Sequence, residues 1–377
     1  MVHVAMLADY LEEGWTSMDH YAAKLVEALA DHPRFDASIV RPPFLRRVCR
    51  LPQVFGPRRS EVLDRIANRY FDYPKAASGL RGYELFHVLD QTYAHVTRHL
   101  PTQRTVVTCH DLDFFDPPPS TRHAWMVRWT GSVTLPGLQR AARIICDSEA
   151  IRNEIATRGL VPPERLAVVP LGVEGMFRPE GARALARAAE VLLKGLDDRP
   201  LLLHVGGMAP RKRIDLLLRC FARIRSQIPA AMLIRVGGAL SPQLKHLAET
   251  LGLERAIIEM PFLSRADLAA LYRRVDLLIL TSETEGFGLP VLEAMASSVP
   301  VVSRNLPAVR EVSADAVLFV AGEDVEAYAA ACLHVLRDDG VRDGMKSRGL
   351  ARAAPFTWER TGEMTGRIYQ EVLDALV

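Results

Sequence analysis

Short apolar runs alternate with segments of helical periodicity along the whole chain, and this alternation constrains the fold more than any other feature. In the first half the strand-like runs are VHVAML, ELFHVLD, RTVVTCHD, ARIICDS and RLAVVPLG. In the second half they are LLLHVGG, AMLIRVGG, AIIEMPF, VDLLILTS and VPVVSR. Amphipathic segments such as MDHYAAKLVEALAD and IDLLLRCFARIRSQ separate them. The pattern predicts repeated βα units, and hence parallel sheets covered by helices.

The stretch 173–200 interrupts this alternation, because VEGMFRPEGARALARAAEVLLKGLDDRP contains no strand pattern. A chain of 377 residues is also too long for one ordinary domain. We therefore predict two Rossmann-like α/β domains, residues 1–175 and 200–355, joined by a linker at 176–199. Residues 356–377 are predicted to form a last helix that packs back towards the first domain. The two parallel sheets are expected to face an interdomain cleft, with ligands outside the carboxyl ends of the strands.

Composition and cysteine spacing narrow the class of protein. The net charge is +2 and 49% of the residues are apolar, which is typical of a globular protein and gives no reason to expect nucleic acid as a partner. The cysteines stand at Cys49, Cys109, Cys146, Cys220 and Cys332. Their odd number and the absence of a C-x-x-C pair argue for a reducing compartment and against disulfides or a zinc site. The N-terminal segment has no basic n-region, and no run reaches the roughly 18 apolar residues of a membrane span. We therefore expect a cytoplasmic protein.

The loop after LLLHV places cations at the start of a helix. Its sequence is GGMAPRKR, so that Arg211, Lys212 and Arg213 fall at or just before the first turn of IDLLLRCF. Cations at this position oppose the helix macrodipole, unless an anion binds to the free N–H groups and to the cations. The residues by themselves favour two interpretations equally, a phosphate or diphosphate site and a solvated basic turn.

Two glutamates stand eight positions apart in SETEGFGLPVLEAMA, on either side of a glycine-containing loop. Glu285 lies in the loop, and Glu293 lies one turn into the predicted helix. There its carboxylate could accept two hydrogen bonds from a vicinal diol such as a ribose. Taken alone, each glutamate is better explained by a structural role, Glu285 as an exposed loop acid and Glu293 as a first-turn acid that stabilises the helix dipole.

The stretch SETEGFGLPVLEAMASSVPVVS (282–303) resembles the signature of retaining glycosyltransferases of the GT-B fold, in the large family 4 (glycosyl transferases group 1). In that signature Glu285 and Glu293 form an E-x7-E pair. Supporting matches are VGGMAPRKR, VVPLGVEGMFRP, LAALYRRVDLLIL and TWERT. The resemblance covers nearly the whole chain and is strongest in residues 165–360. It implies the GT-B fold and transfer of a sugar from a UDP- or GDP-linked donor to a saccharide or lipid-linked acceptor, with retention of anomeric configuration.

The resemblance also implies roles for individual residues. Glu285 would contact the donor sugar, Glu293 would bind the ribose hydroxyls, and Arg211 and Lys212 would neutralise the diphosphate in place of a metal ion. The residues implied to hold the donor sugar are Gly286, Phe287, Gly288 and Leu289. The residues implied to lie against the base are Met260, Phe262 and Leu263. No cofactor is expected, since the resemblance implies that Arg211 and Lys212 take the place of a metal ion. Many members carry an arginine where this chain has Gly207.

Polar residues also follow the strands of the first half. His110, after TVVTC, is by resemblance to the family's HD segment expected to face the donor sugar near the reacting carbon; as a lone histidine it would be an ordinary loop residue. Asp90, Tyr93 and His95 follow another strand and are candidates for contact with the acceptor. Gly14, in EEGWTSM, is the candidate for close approach of the backbone to the diphosphate.

Residues 41–69 form the most basic segment, with eight arginines against Glu61 and Asp64, a local charge of 8 − 2 = +6. Its interleaved apolar residues are Phe44, Leu45, Val48, Leu51, Val54 and Phe55. This mixture suits peripheral contact with an anionic membrane or capture of an anionic acceptor. An arginine-rich solvated surface explains it as well.

Two further functions fit the same pattern. A nucleotide-sugar epimerase on a similar scaffold would need acid–base residues at the sugar ring and no acceptor. A non-catalytic nucleotide-sugar-binding subunit would bind the donor without turnover, although the complete set of Glu285, Glu293 and Lys212 argues against it.

Overall fold

The computed structural model describes residues 1–50, 56–113, 115, 124–181, 190–191, 193–196 and 198–376. It divides the chain into two compact units. The first unit comprises Met1–Gly172 with Trp358–Val377, and the second comprises Val173–Thr357. The last helix of the chain thus belongs to the first unit.

The first unit is a six-stranded parallel sheet with helices. Its strands are β1 (Val2–Leu7), β2 (Phe35–Val40), β3 (Leu85–Val88), β4 (Thr105–Cys109), β5 (Arg143–Cys146) and β6 (Leu166–Val168), in the order β2-β1-β3-β4-β5-β6. Its helices are α1 (Thr16–Leu29), α2 (Pro57–Ala67), α3 (Tyr73–Ser78), α4 (Ala124–Arg140), α5 (Glu149–Thr157) and the C-terminal helix Trp358–Asp374. A π-helical turn (Asn68–Asp72) joins α2 to α3, and a 3₁₀ segment (Gln91–His99) follows β3.

The second unit repeats this architecture. Its strands are β7 (Leu201–Val205), β8 (Met232–Val236), β9 (Ile257–Met260), β10 (Leu277–Leu280), β11 (Val301–Arg304) and β12 (Leu318–Val320), all parallel, in the order β12-β11-β10-β7-β8-β9. Its helices are α6 (Ile214–Gln227), α7 (Pro242–Thr250), α8 (Arg265–Tyr272), α9 (Leu289–Ala296), α10 (Pro307–Ser313), α11 (Val325–Arg337) and α12 (Asp339–Ala353).

The strands are continuous apolar runs because the sheets are covered on both faces. Every residue of β4, β8 and β10 is buried, as expected for parallel strands that contact helices above and below. The helices, in contrast, are buried on one side only. Helix α6, for example, buries one stripe that includes Leu217, Phe221 and Ile224. Serine caps start several helices, for example Ser148, whose hydroxyl accepts from the Ile151 amide at 3.3 Å.

The C-terminal helix is tied to the first sheet by a buried polar contact. The Tyr369 hydroxyl lies 2.7 Å from Nδ1 of His87 on β3, and Nε2 of that ring lies 2.7 Å from the Thr108 hydroxyl on β4. Burial lowers the pKa of His87 to about 3, so the ring is neutral and can serve as both donor and acceptor.

Residues at both ends of the predicted linker pack on the second unit rather than spanning free space. Phe177 is buried and its ring lies 5.8 Å from that of Tyr272. The carboxylate of Glu190 accepts from Arg274 at 2.6 Å, and Leu193 is buried. Residues 182–189, 192 and 197 of the predicted linker lie outside the described residues.

No helix in the described part of the chain is long and apolar enough to cross a membrane.

Candidate functional site

In the second unit, two predicted functional loops lie next to each other at the carboxyl ends of neighbouring strands. Residues 206–213 follow β7 and residues 281–288 follow β10, and these strands pair in parallel. The Thr281 hydroxyl contacts the carbonyl oxygens of Lys212 and Arg213 at 3.0 and 3.1 Å. The sheet order therefore unites the basic loop with the glycine-containing loop, as the position of ligands in open parallel sheets requires.

A buried ion pair joins these loops. Nζ of Lys212 lies 2.6 Å from Oε1 of Glu285, and Nη1 of Arg211 lies 3.9 Å from Oε2. Burial raises the pKa of the Glu285 carboxyl, but Lys212 and Arg211 outweigh burial and hold this pKa below its usual value. The glutamate is therefore ionised at neutral pH. Two cations of the basic loop thus lie at one carboxylate beside the glycine loop.

The third cation of the loop has a different environment. Arg213 has φ +47° and begins α6, and its guanidinium contacts three carboxylates, those of Asp215, Glu283 and Glu323. Hydrogen bonds to these groups raise the pKa of Arg213. Three carboxylates from outside the basic loop thus surround its charge, so Arg213 is already paired within the protein.

Glu293 is held by residues that sequence reasoning did not find. Its Oε1 accepts from Arg265 at 2.6 Å and its Oε2 accepts from the Tyr272 hydroxyl at 3.2 Å. Arg265 also donates to Glu174 at 2.6 Å. Burial raises the pKa of Glu293, an effect that Arg265 and Tyr272 partly offset. Each carboxylate oxygen still has acceptor capacity for a further donor, although the side chain is only 2% exposed.

One sequence signal could have found Arg265. It is the first residue of α8, directly after the capping residue Ser264, and a cation there opposes the helix dipole, as in the basic loop. Its two carboxylate partners, Glu174 and Glu293, explain why it is tolerated.

The glycine loop leads into α9 through a left-handed residue. Gly288 has φ +95° and caps the helix, and Pro290 occupies the first turn. A Cβ at Gly288 would lie 3.3 Å from the Val309 side chain. Phe287 is buried against Phe356, with ring centroids 6.1 Å apart, so its side chain anchors the loop. The expected contacts of the sugar with Gly286, Phe287, Gly288 and Leu289 stay a prediction.

The residues predicted to lie against a base separate into two groups. Met260 is 1% exposed, and its carbonyl accepts from the amides of Gly237 and Gly238, so it belongs to the core and not to a surface for stacking. Phe262 is 60% exposed and Leu263 is partly exposed. The buried Met260 side chain therefore cannot stack on a base, whereas the contact of Phe262 and Leu263 with a base stays a prediction.

In the first unit, both ring nitrogens of His110 are used. Nδ1 lies 2.7 Å from Oδ2 of Asp147, and Nε2 lies 2.8 Å from the carbonyl oxygen of Leu89. Both partners are acceptors, so the ring must donate twice and is an imidazolium. Burial lowers the pKa of His110, but Asp147, with Asp90, raises it to about 10. The geometry gives a fixed cation rather than a base for proton transfer. Asp147 was missed by sequence reasoning, although it stands directly after IIC at a strand end.

Asp90 lies in a buried polar cluster at the ends of β1 and β3. Its carboxylate caps the 3₁₀ segment by accepting from the Thr92 amide. Asp9 is 3% exposed, and both of its carboxylate oxygens are buried without a hydrogen-bond donor in the described part of the chain. Burial, and then the charge of Asp90, raise the pKa of Asp9 well above its usual value. Gly14, near the cluster in sequence, has φ +72° and open space around its Cα.

Tyr93 and His95 are also buried, and their polar atoms make hydrogen bonds within the protein. The Tyr93 hydroxyl donates to Glu13 at 2.7 Å, and Nε2 of His95 lies 2.9 Å from the carbonyl oxygen of Arg69. Arg69 in turn pairs with Glu13 at 3.1 Å and lies over the Tyr93 ring. Burial lowers the pKa of His95 to about 4. These contacts explain both residues structurally, and their contact with an acceptor stays a prediction.

Four arginines of the basic segment 41–69 pair with carboxylates among the described side chains, which do not include those of Arg50 and Arg58. The pairs are Arg41–Asp19, Arg47–Asp72, Arg65–Glu61 and Arg69–Glu13. The segment is therefore less cationic at its surface than its sequence indicates. Leu51, Val54 and Phe55 of the predicted membrane segment, and the side chain of Arg50, lie outside the described residues.

Comparisons with known proteins match both halves of the chain to glycosyltransferase families. The model of the family described as Glycosyltransferase Family 4 matches residues 2–174, and that described as Glycosyl transferases group 1 matches residues 193–352. The chain is similar to the O-antigen chain mannosyltransferase B of Escherichia coli, with 31% identity over 351 residues, 90% of this chain and 84% of that protein. It is also similar to the D-inositol 3-phosphate glycosyltransferase of Kineococcus radiotolerans, with 31% identity over 257 residues, 63% of this chain and 58% of that protein.

Solved structures support the fold. Sucrose-phosphate synthase from Thermosynechococcus elongatus superposes with a TM-score of 0.78 at 21% identity, over 100% of both chains. Anabaena HepE in complex with UDP and glucose gives a TM-score of 0.75 at 18% identity, over 98% of this chain and 100% of that chain. Together with the two parallel sheets, these matches show that the chain is a glycosyltransferase of the GT-B fold and belongs to family 4, the glycosyl transferases group 1.

Proposed function

We propose that the protein transfers a hexose from a nucleoside diphosphate sugar, UDP- or GDP-linked, to a saccharide acceptor with retention of anomeric configuration. The observation that carries the proposal is the cluster of Lys212, Arg211 and Glu285 beside a glycine loop at a helix start. Two cations at such a place suit an anion such as a diphosphate.

The chemistry follows from the charge that develops in the reaction. As the bond between the sugar and the diphosphate breaks, negative charge grows on the leaving phosphate and an oxocarbenium-like charge grows on the sugar. Lys212 and Arg211 would stabilise the first, and Glu285, kept ionised by them, would lie beside the second. Cations in this position would stabilise the negative charge that a metal ion stabilises in other enzymes, which supports a metal-independent reaction. Both N–H groups of His110 are taken by Asp147 and the Leu89 carbonyl, so the expected contact of this residue with the donor sugar stays a prediction.

The nature of the acceptor is proposed from the relatives. The Escherichia coli protein is named for an O-antigen chain, and the Kineococcus protein is named for an inositol phosphate. The first aligns with 90% of this chain and the second with 63%. We therefore favour a growing saccharide, free or lipid-linked, over a small phosphorylated polyol.

A donor screen tests the proposal. Purified protein is incubated with radiolabelled UDP-glucose, UDP-N-acetylglucosamine and GDP-mannose, with and without EDTA. Slow hydrolysis of one donor, unaffected by EDTA, is the expected result, and Lys212→Ala should abolish it. Conversion to an isomeric nucleotide sugar would instead identify an epimerase. Binding without turnover, with or without saccharide acceptors, would identify a non-catalytic subunit.

We propose that the protein contacts a membrane through the basic segment and through a group of exposed aromatic residues that follow it in the chain. Phe71 is 71% exposed and Trp125 is 68% exposed. Trp129, one helical turn after Trp125, is also exposed, and its ring lies 4.9 Å from that of Tyr70, the neighbour of Phe71. We call Phe71, Trp125 and Trp129 the aromatic face. Its aromatic side chains and the exposed Arg128 suit the interface of an anionic bilayer.

Vesicle sedimentation tests this contact. Wild-type protein should sediment with vesicles rich in phosphatidylglycerol at low salt, and less at high salt. The double change Trp125→Ser and Trp129→Ser should abolish sedimentation, whereas Ile39→Ser, at another exposed apolar residue of the first unit, should not. If wild-type protein does not bind these vesicles at low salt, the aromatic face has another role.

A further inference from the structure

Arg235 is the largest completely buried side chain in the described part of the chain. It lies on the central part of β8, a strand whose other residues, Met232, Leu233, Ile234 and Val236, are apolar. An arginine cannot lose its charge in a protein, and a buried charge is costly unless it is paired. The position therefore requires an explanation that core packing does not supply.

The guanidinium of Arg235 has no carboxylate partner among the described residues. Its nearest acid by register is Glu259 on β9, and the carboxylate of Glu259 instead accepts from the Leu240 amide. Nε of Arg235 has no acceptor in the described part of the chain. Burial lowers the pKa of Arg235, and Glu259 opposes this effect only in part. Among the described residues, the charge of Arg235 is therefore compensated only in part.

The contacts that Arg235 does make are with two glycine turns. Nη1 donates to the carbonyl oxygen of Gly238, and Nη2 donates to that of Gly206 at 3.2 Å and lies 2.7 Å from the Met208 sulfur. These turns follow β8 and β7, at the carboxyl edge of the sheet. The two turns also touch, since a Cβ at Gly237 would lie 2.1 Å from the Gly206 carbonyl oxygen.

This arrangement fixes the direction of two amide groups. A trans peptide is planar, with its C=O and N–H pointing in opposite directions. Because Arg235 holds the carbonyls of Gly206 and Gly238, the N–H groups of Gly207 and Ala239 point away from the core. Gly207 is partly exposed and Ala239 is exposed. The Lys212 stem lies against Gly206, 3.5 Å from the position that a Cβ would take. The outward amides of the two touching turns thus lie near the Lys212 stem.

We propose that Arg235 is a positioning residue for the leaving diphosphate: it orients the two glycine turns so that their amides face the anion, and the bound anion compensates its buried charge. The proposal rests on the proposed donor site and adds to it a residue that would not touch the anion itself. Lys212 and Arg211 would touch the anion, whereas Arg235 would act through the Gly206 and Gly238 peptides. Arg235 lies on the neighbouring strand β8, outside the basic loop and outside the segment with the two glutamates.

Binding measurements on charge variants test this role. By calorimetry, Arg235→Met should weaken binding of UDP, GDP and inorganic pyrophosphate about tenfold or more, the size expected for one buried charge near an anion. Binding of uridine and guanosine should change less than twofold. The urea midpoint should change little, because removal of a costly buried charge offsets the loss of its hydrogen bonds to the two glycine carbonyls. Arg223→Met, which removes an exposed arginine paired with Glu326, is the matched control.

Two further variants keep the test decisive if Arg235→Met does not fold. Arg235→Gln retains amide donors for the carbonyls and removes the charge, so it should also lose diphosphate affinity. Arg235→Lys retains a charge and should lose less. Diphosphate affinity equal to wild type in Arg235→Gln or Arg235→Met overturns the proposal. Equal loss of nucleoside and diphosphate binding, together with a lower urea midpoint, overturns it as well, because that pattern shows a core residue only.

The inference and the proposed function fail in different ways. If nucleotide sugars are turned over and Arg235→Met retains the wild-type kcat/KM, the inference is wrong and the transferase function stands. If wild type binds pyrophosphate in an Arg235-dependent way but turns over no nucleotide sugar, the function is wrong and the inference stands.

Discussion

Replacement of Asp147 by Asn tests the assignment of His110 as a permanent cation. In the folded protein His110 donates from Nδ1 to Asp147 and from Nε2 to the Leu89 carbonyl, and Asp147 is the main reason that its pKa rises to about 10. Asp147→Asn keeps the shape of the side chain and removes the charge. An asparagine that donates its NH₂ to Nδ1 would favour the neutral ring.

The expected magnitude follows from the two pKa values. Unfolded histidine has a pKa of about 6.5, and the folded value is about 10. A group whose pKa is raised by folding stabilises the protein fully below the unfolded pKa, and this stabilisation is lost as the pH rises towards the folded pKa. Each pH unit in that interval changes the free energy of unfolding by about 1.4 kcal/mol. Raising the pH from 7 to 9 should therefore cost the wild type up to about 3 kcal/mol through His110 alone.

Urea unfolding of wild type and Asp147→Asn at pH 7 and pH 9 measures the effect. At pH 7 the variant should be less stable by about 3 kcal/mol, the lower end of the range for breaking a buried ion pair. At pH 9 the difference should shrink to about 1 kcal/mol or less. His87, His95 and His204 do not disturb this window, since burial lowers their pKa values and they are neutral in both states above pH 7.

A second histidine–aspartate pair provides the control. His3 and Asp36 lie 3.1 Å apart with both side chains about half exposed, and such surface pairs contribute about 0–1 kcal/mol. Asp36→Asn should therefore change stability little at either pH. If Asp147→Asn behaves like Asp36→Asn, or if its deficit is the same at pH 7 and pH 9, His110 is not a buried cation held by Asp147.

Three further predictions follow from the second unit. Lys212→Ala should lower kcat/KM by about 3 kcal/mol of transition-state stabilisation, and it should also destabilise the fold by about 1–3 kcal/mol in urea, because it leaves Glu285 buried without its nearest cation. Glu293→Gln should weaken nucleoside diphosphate binding by about 1.5–3 kcal/mol, measured by calorimetry. Gly237→Ala should reduce the yield of folded protein or lower its melting temperature sharply, since φ is +127° and the new Cβ would meet the Gly206 carbonyl oxygen.

Each of these has an outcome that contradicts it. Activity of Lys212→Ala within about threefold of wild type would make the basic loop a solvated turn. Unchanged nucleotide affinity in Glu293→Gln, with a lower melting temperature, would leave Glu293 only its structural bond to Arg265. Wild-type stability of Gly237→Ala, compared with Gly252→Ala where the added Cβ meets open space, would show that the two glycine turns do not touch.

The fold was predictable where the sequence pattern is local. Strands such as β4 and β10 are continuous apolar runs, and α6 has a clear apolar stripe, so periodicity alone predicted them. Strand β2 was not predicted, because FDASIV has both exposed and buried residues and no continuous apolar run. The helices α2 and α4 were missed as well. Arginines in α2 obscure its periodicity, and α4 contains Pro136, a residue that ordinarily ends a helix.

The candidate site was predictable where a motif carries the chemistry. Glu285, Glu293, Arg211 and Lys212 were singled out through the motifs that resemble the family signature, and their roles stay predictions. Their partners were not, because these come from other strands and helices. Arg265 reaches Glu293 from a helix 28 positions earlier in the chain, and such contacts leave no local pattern.

The sequence by itself determined the βα repeat, the division into two domains and the residues that follow each strand, because these depend on periodicities of a few residues. Only the tertiary structure decided their electrostatic state. It paired Lys212 with Glu285, made His110 a cation through Asp147, and placed Arg235 beneath the glycine turns with no ion pair among the described residues. The physical reason is that burial makes charge interactions strong, and which charges are buried together depends on the order of strands in the sheet, which no short stretch of sequence contains.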